Sequence, residues 1–131
     1  MAGGTQPRRL MAAGALLAAT GIALGAFGAH ALERAVDVRA LGWWVTAVQY
    51  QMWNAIGLVA LAAAPRRIGL PALLIGAGTL VFSGSLYAMA LTDARWLGMV
   101  TPVGGGLMIA GWLLAAWRFT REGRAGDRNF P

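Results

Sequence analysis

Residues 10–32 read LMAAGALLAATGIALGAFGAHAL, a run of 23 residues without Asp, Glu, Lys or Arg. Three more charge-free runs follow at residues 40–65, 68–92 and 96–117, and they are 26, 25 and 22 residues long. A helix rises about 1.5 Å per residue and a bilayer core is about 30 Å thick, so each crossing needs about 20 apolar residues. The runs predict an all-α integral membrane protein with four spans, at residues 10–32, 41–64, 68–91 and 96–117.

The rest of the chain is too short for a second domain. Of the 131 residues, 58% are hydrophobic and 12% are charged, whereas a soluble domain carries about 25% charged residues. We expect one transmembrane domain over residues 10–117, preceded by a cytoplasmic segment of residues 1–9. The basic tail, residues 118–131, is polar and contains glycine, which predicts disorder. The chain has no cysteine, which excludes disulfides, thiolate nucleophiles and iron–sulfur clusters.

The arginines indicate the orientation in the membrane. Eight lie on one side of the predicted bundle and three on the other, and the positive-inside rule places the richer side in the cytoplasm. Both termini are therefore expected in the cytoplasm, and the composition favours a bacterial plasma membrane. The net charge of +6 is explained by this anchoring and does not indicate nucleic acid. The eight are Arg8, Arg9, Arg66, Arg67, Arg118, Arg121, Arg124 and Arg128, and the three are Arg34, Arg39 and Arg95.

The first run has a second interpretation as a cleavable signal peptide. Arg8 and Arg9 precede it, and Ala29-His30-Ala31 resembles a cleavage site. A signal-peptide core is usually about 7–15 residues long, so the longer run here favours a permanent span.

The connectors are short, which makes consecutive helices antiparallel neighbours in an up-down-up-down bundle. Residues 25–32 can be aligned with residues 84–91, with one Gly, two Ala and the final Leu matching. Either two repeated hairpins or chance matches in a chain rich in Ala, Gly and Leu explain this similarity. Four tryptophans lie at span ends, where the indole favours the membrane interface: Trp43, Trp44, Trp96 and Trp117.

Small residues are expected to let the helices approach closely, because burying Leu does not drive association in lipid. The predicted packing positions are Gly21, Gly25, Gly28, Gly84, Gly104 and Gly105. These glycines are expected either to pack helices within the chain or to form the interface of a homo-oligomer or a larger complex. Residues 101–106, TPVGGG, indicate either a helix start capped by Thr101 or a ligand loop.

Uncharged polar residues collect in the predicted outer half of the bundle. Tyr50, Gln51 and Asn54 fall on one helix face at i, i+1 and i+4. Either hydrogen bonds between helices or a small-molecule or lipid-headgroup pocket opening outward accounts for them. The candidate cluster is His30, Tyr50, Gln51, Asn54, Ser83, Tyr87 and Thr101.

Reactive groups are scarce in the spans. No carboxylate lies inside them, which argues against a proton-coupled exporter. The single histidine, His30, cannot by itself complete a metal or haem site. We expect no catalytic residue, metal or cofactor, and no enzyme.

Four motifs resemble the YgdD-like family of small membrane proteins, a domain of unknown function (number 423). They are GAFGAHAL at 25–32, YQMWN at 50–54, FSGSLY at 82–87 and LGMVTPVGG at 97–105. The second departs from the family pattern, since Asn54 stands where the family usually has His. The resemblance implies a four-helix inner-membrane protein with no assigned activity.

The sequence thus favours a structural or accessory membrane protein that packs through glycine-rich helix faces, in contact with lipid. The alternative is a small transporter or a lipid- or small-molecule-binding protein that uses the outer polar cluster.

Overall fold

Four long helices make up most of the chain. The computed structural model describes residues 5–64 and 67–127, with side chains for 6–64 and 67–121. Helix α1 spans Thr5–His30, α2 Val38–Ala62, α3 Gly69–Thr92 and α4 Thr101–Asp127. Short 3₁₀ turns lie at Leu32–Arg34 and Arg95–Met99, and the described residues contain no strand. The prediction of an all-helical, four-helix protein is confirmed. Pro65 and Arg66, in the predicted second connector, lie outside the described residues.

Local chemistry sets the helix ends. The Asp37 side chain caps α2 by accepting a 2.8 Å hydrogen bond from the Ala40 amide. Asp93 ends α3 with φ of 55°, a left-handed conformation that Asp tolerates better than most residues. Its amide donates to the Met89 carbonyl at 2.9 Å. Pro102 lies in the first turn of α4, where a missing amide hydrogen costs no helical bond.

Both terminal helices extend beyond the predicted spans. Helix α1 is described from Thr5, within the predicted N-terminal segment, and residues 1–4 of that segment lie outside the described residues. Helix α4 continues to Asp127, into the basic tail, and residues 128–131 of that tail lie outside the described residues. No proline lies between Pro102 and Pro131, and extending a helix costs far less than starting one. The Arg121 guanidinium also covers the Trp117 ring at 4.9 Å.

The four helices pack in chain order. Helix α1 packs on α2, α2 on α3 and α3 on α4. Helix α1 covers one side of the α2–α3 pair, and α4 covers the other, where Trp112 meets Gly57 of α2. The described parts of α1 and α4 make no extensive contact with each other. The bundle therefore has two separate interior faces, one between α1 and the α2–α3 pair and one between that pair and α4.

Several polar side chains are buried, whereas many large apolar side chains are exposed. Gln51, Ser83 and Thr79 are at most 5% exposed. Leu16, Leu73 and Leu113 are at least 66% exposed. Polar side chains inside and leucines outside are the arrangement expected of a protein that lies in lipid.

Three helical segments are long and apolar enough to cross a membrane by length and composition: Gln6–Arg34, Gly69–Thr92 and Arg95–Arg121. Helix α2 falls short of that hydropathy level because it carries Gln49, Gln51 and Asn54. It nevertheless packs between α1 and α3 and buries Gln51 and Asn54 in the bundle. The fourth span therefore stays a prediction, and the geometry of the neighbouring helices favours it.

Candidate functional site

Gln51 forms the centre of the polar contacts on the α1 side. Its Nε2 donates to the Leu17 carbonyl at 2.8 Å and to Thr20 Oγ1 at 2.9 Å. Its Oε1 accepts a 2.6 Å bond from the Tyr87 hydroxyl. One side chain of α2 thereby joins α1 to α3. A cavity of about 220 Å³ lies beside this network, bordered by Thr79, Gly84 and apolar side chains of α1.

Asn54 makes the corresponding contacts on the α4 side. Its Nδ2 donates to the Tyr50 carbonyl at 2.8 Å and lies 3.3 Å from Met108 Sδ. Its Oδ1 accepts a 2.9 Å bond from Trp112 Nε1. Gln51 and Asn54 are three residues apart, which turns their side chains about 60° from each other around the helix. That angle directs one amide to α1 and the other to α4.

The serines of α3 also hold neighbouring helices. Ser83 Oγ donates to the Ala47 carbonyl of α2 at 2.8 Å. Ser85 Oγ donates to the Phe82 carbonyl and lies 2.6 Å from Thr101 Oγ1 at the start of α4. Thr101 also lies 3.2 Å from the Leu97 carbonyl. Helix α4 thus begins at Thr101, as the helix-start interpretation of 101–106 has it, and not at residue 96, where the predicted span begins. The Thr101 hydroxyl contacts α3 and the preceding turn. The three glycines that follow are helical, so the ligand-loop interpretation of 101–106 is wrong.

The predicted polar cluster is divided rather than gathered in one pocket. Gln51 and Tyr87 are bonded to each other, Asn54 lies on the opposite interior face, and Thr101 pairs with Ser85. His30 is exposed at the end of α1. Tyr50 is partly buried and packs against Phe82, with ring centroids 4.6 Å apart. The order of helix packing explains the division, because the α2–α3 pair lies between α1 and α4.

Sequence reasoning missed two contributors to the site. Thr20 was not singled out, although a hydroxyl at mid-span is a recognisable signal. Trp44 was placed at the interface, but it is 3% exposed and donates to the Leu24 carbonyl at 2.8 Å. Its ring also packs edge-on against Tyr87 with centroids 4.6 Å apart. Trp44 thereby belongs to the same interior face as Gln51.

The predicted packing glycines differ in what surrounds them. A Cβ at Gly21 would lie 2.5 Å from Met52 Sδ, and a Cβ at Gly28 would lie 2.6 Å from Trp44 Cδ1. A Cβ at Gly104 would lie 2.7 Å from the Gly78 carbonyl oxygen. These three positions therefore permit close packing within the chain.

The other three predicted positions are less crowded. A Cβ at Gly25 would meet Val48 at 3.3 Å, and one at Gly105 would be in ordinary contact with Phe82 at 3.7 Å. A Cβ at Gly84 would meet nothing within 4 Å. Gly84 is therefore not a packing position within this chain, because it borders the cavity. Four glycines outside that set of six are also close to a neighbouring helix: Gly14, Gly57, Gly78 and Gly111.

Comparison with known proteins decides the family. The family described as "Protein of unknown function (DUF423)" matches residues 24–105, which include Trp44, Gln51, Ser83 and Tyr87. The chain belongs to the DUF423 family. The UPF0382 inner membrane protein YgdD of Escherichia coli strain K12 is 41% identical over 110 residues, covering 78% of this chain and 84% of the relative. A UPF0382 membrane protein of Staphylococcus saprophyticus is 41% identical over 105 residues, covering 77% and 88%. No solved structure matches the chain.

Membership of DUF423 agrees with the resemblance found in the four motifs. It makes this chain a membrane protein and attaches no molecular function to it. Among the described residues, no three His, Cys, Asp or Glu side chains come together as a metal site would require. The contacts that the site shows are hydrogen bonds between helices and apolar contacts.

Proposed function

We propose that this DUF423 protein is a non-enzymatic, structural or accessory protein of the bacterial inner membrane that crosses the bilayer four times. One observation carries the proposal. Every buried side-chain nitrogen and oxygen that the structure describes has a hydrogen-bond partner within the chain. Groups that bind or transform a substrate need free hydrogen-bonding capacity, whereas these groups are already engaged in joining helices.

The Gln51 network illustrates the argument. Both amide hydrogens and the amide oxygen of Gln51 have partners on α1 and α3. A substrate would have to displace one of these bonds. The close glycine contacts support the same conclusion, because they hold α1 to α2 and α3 to α4 within one copy of the chain.

The charge distribution supports an orientation with both termini in the cytoplasm. Five arginines with described side chains lie at one end of the bundle. Glu33, Asp37 and Asp93 lie at the other end, where Arg34, Arg39 and Arg95 also lie. The positive-inside rule assigns the arginine-rich end to the cytoplasm. The five are Arg8, Arg9, Arg67, Arg118 and Arg121.

One observation favours a second candidate, a binding protein for a small molecule or a lipid. The cavity of about 220 Å³ beside Gln51 is bordered by Ser83 and Tyr87, and Gly84 leaves its wall open. A small polar molecule there would meet hydroxyl groups on one side and leucines on the other.

A pair of variants distinguishes the two candidates. Gln51→Ala removes the network, and Gly84→Leu fills the cavity without removing any hydrogen bond described above. Both proteins are purified in mild detergent, and thermal unfolding and native mass spectrometry are recorded. A structural role predicts a lower melting temperature for Gln51→Ala and no change in bound molecules for either variant. A bound molecule that both variants lose would instead establish the binding function.

The accessory part of the proposal has its own test. Native mass spectrometry of the membrane-extracted protein should show a stoichiometric complex with a second copy or with other membrane proteins. A protein that is strictly monomeric and carries no partner would remove the support for an accessory role.

A further inference from the structure

A second cavity opens at the arginine-rich end of the bundle and extends inward to Leu17 and Leu80, which also border the cavity beside Gln51. Its volume is about 630 Å³, and it runs between α1 and α3 over a floor that includes Leu58 of α2. Arg9 and Arg67 border it together with Gln6, and its deeper walls carry Leu10, Leu73 and Leu80. We call it the basic groove. We propose that the basic groove binds one anionic phospholipid of the cytoplasmic leaflet, with its phosphate at Arg9 and Arg67 and an acyl chain along α1 and α3.

The length of the groove fits one leaflet. Its lining extends from Gln6 to Leu17 on α1 and from Gly69 to Leu80 on α3. Eleven residues of helix rise about 16 Å, and half of a hydrocarbon core of about 30 Å is about 15 Å. An acyl chain that starts at the arginines therefore reaches the bilayer midplane where the groove ends.

The walls of the groove are open and apolar. Leu73 and Leu80 are 66% and 65% exposed, whereas Leu58 in the floor is 2% exposed. Gly76 lies between the two exposed leucines, and a Cβ placed on it would meet nothing within 4 Å. No other described helix covers the groove, because α4 lies on the opposite side of α2 and α3. The space is therefore accessible from lipid along its length.

Charge complementarity selects an anion. Arg9 and Arg67 are exposed, and Arg118 joins them through a 2.9 Å bond from its Nη1 to the Arg67 carbonyl. The N-termini of α1 and α3, which carry positive partial charge, lie at the same end. Basic pockets between transmembrane helices at the cytoplasmic side are suited to phospholipid headgroups.

The same charges argue against a second copy of the chain as the occupant. Two copies inserted with the same orientation would bring their arginine-rich ends to the same side of the membrane. Seating a second copy in the groove would therefore place like charges side by side, which is unfavourable in the weakly screened headgroup region. A phosphate group reverses the sign of that interaction.

Native mass spectrometry with defined lipids tests this proposal on the full chain. The protein in mild detergent is incubated with equal amounts of phosphatidylglycerol and phosphatidylcholine. We expect the wild type to retain one phosphatidylglycerol preferentially. Each arginine near an anionic lipid contributes a factor of about five, so the double variant Arg9→Gln/Arg67→Gln should lose about 25-fold in preference. The bond to Arg118 uses the Arg67 backbone oxygen and is available in that variant.

Two further variants make the result specific. Arg8→Gln/Arg121→Gln removes the same charge from the same end but does not line the groove, so it should keep the preference. Gly76→Phe leaves all arginines in place and fills the groove, so it should lower the retention of both lipids. Equal loss in the two double variants, full retention in Gly76→Phe, a dimer without lipid, or no preference in the wild type would each overturn the proposal. None of these readouts depends on whether the Gln51 network is structural.

Discussion

Replacing Gly104 by alanine tests how closely α3 and α4 approach each other. A Cβ at Gly104 would lie 2.7 Å from the Gly78 carbonyl oxygen and 2.8 Å from Phe82 Cα, both of which are backbone atoms. A Cβ at Gly78 would in turn lie 2.7 Å from the Gly104 carbonyl oxygen. Neither helix can relieve the contact by rotating a side chain, so the two backbones must separate.

The magnitude follows from a matched control on the same helix. A Cβ at Gly106 would meet nothing within 4 Å. Gly104→Ala and Gly106→Ala both gain the helix-forming advantage of alanine, about 0.5–1 kcal/mol in water. The difference between them isolates the steric term, and forcing an extra methyl group into a filled interface costs about 1–3 kcal/mol. Gly104→Ala should therefore be less stable than Gly106→Ala by about 1–3 kcal/mol.

Reversible unfolding in mixed micelles, followed by tryptophan fluorescence and circular dichroism, measures this difference. A third variant, Gly105→Ala, should behave like Gly106→Ala because its Cβ would be in ordinary contact at 3.7 Å. Equal stability of Gly104→Ala and Gly106→Ala would refute the close approach of α3 and α4.

Three further predictions concern polar contacts. A double-mutant cycle with Gln51→Ala and Tyr87→Phe should give a coupling energy of about 0.6 kcal/mol, with about 1.7 as the upper bound, and no coupling would contradict the 2.6 Å bond. Trp112→Phe should lower the unfolding free energy by about 1–3 kcal/mol because it leaves the Asn54 oxygen without its 2.9 Å donor. In an Asn54→Leu background the same substitution should cost less. An equal cost in both backgrounds would exclude that bond as the cause. Asp37→Ala should lower the unfolding free energy by about 1 kcal/mol by removing the cap of α2, and Asp37→Asn should keep most of it, since either side chain can accept the bond.

The number and order of the helices could be predicted because they depend on charge placement alone. Residues such as Glu33, Arg39 and Asp93 are costly to place in hydrocarbon, so they locate each connector to within about one helical turn. The ends were less predictable, since α1 is helical before residue 10 and α4 after residue 117, outside the charge-free runs. Extending an existing helix costs little, so polar residues such as Arg9 and Arg121 continue the two helices.

The site was predicted residue by residue but not as an arrangement. Gln51, Asn54 and Ser83 were recognised from polarity and depth, and all three are buried and bonded. Their division between two interior faces depends on how the helices are placed around α2. That placement is set by contacts such as Gly57 against Trp112, which no pattern in the sequence reveals. Gly84 and Gly104 were both predicted as packing positions because they are small residues in glycine-rich spans. Only the structure shows that Gly104 is crowded and Gly84 is not.

Whether α2 crosses the bilayer is the point on which the four-span account depends most directly. The chain has no native cysteine, so single cysteines can be introduced at Ala35, Ala63 and Ala94 and labelled on intact cells with a membrane-impermeant maleimide. Ala35 and Ala94 lie in connectors at one end of the bundle, and Ala63 directly follows α2 at the other end. The account predicts labelling of positions 35 and 94 on intact cells and labelling of position 63 only after permeabilisation. Labelling of positions 35 and 63 from the same side of the membrane would contradict it.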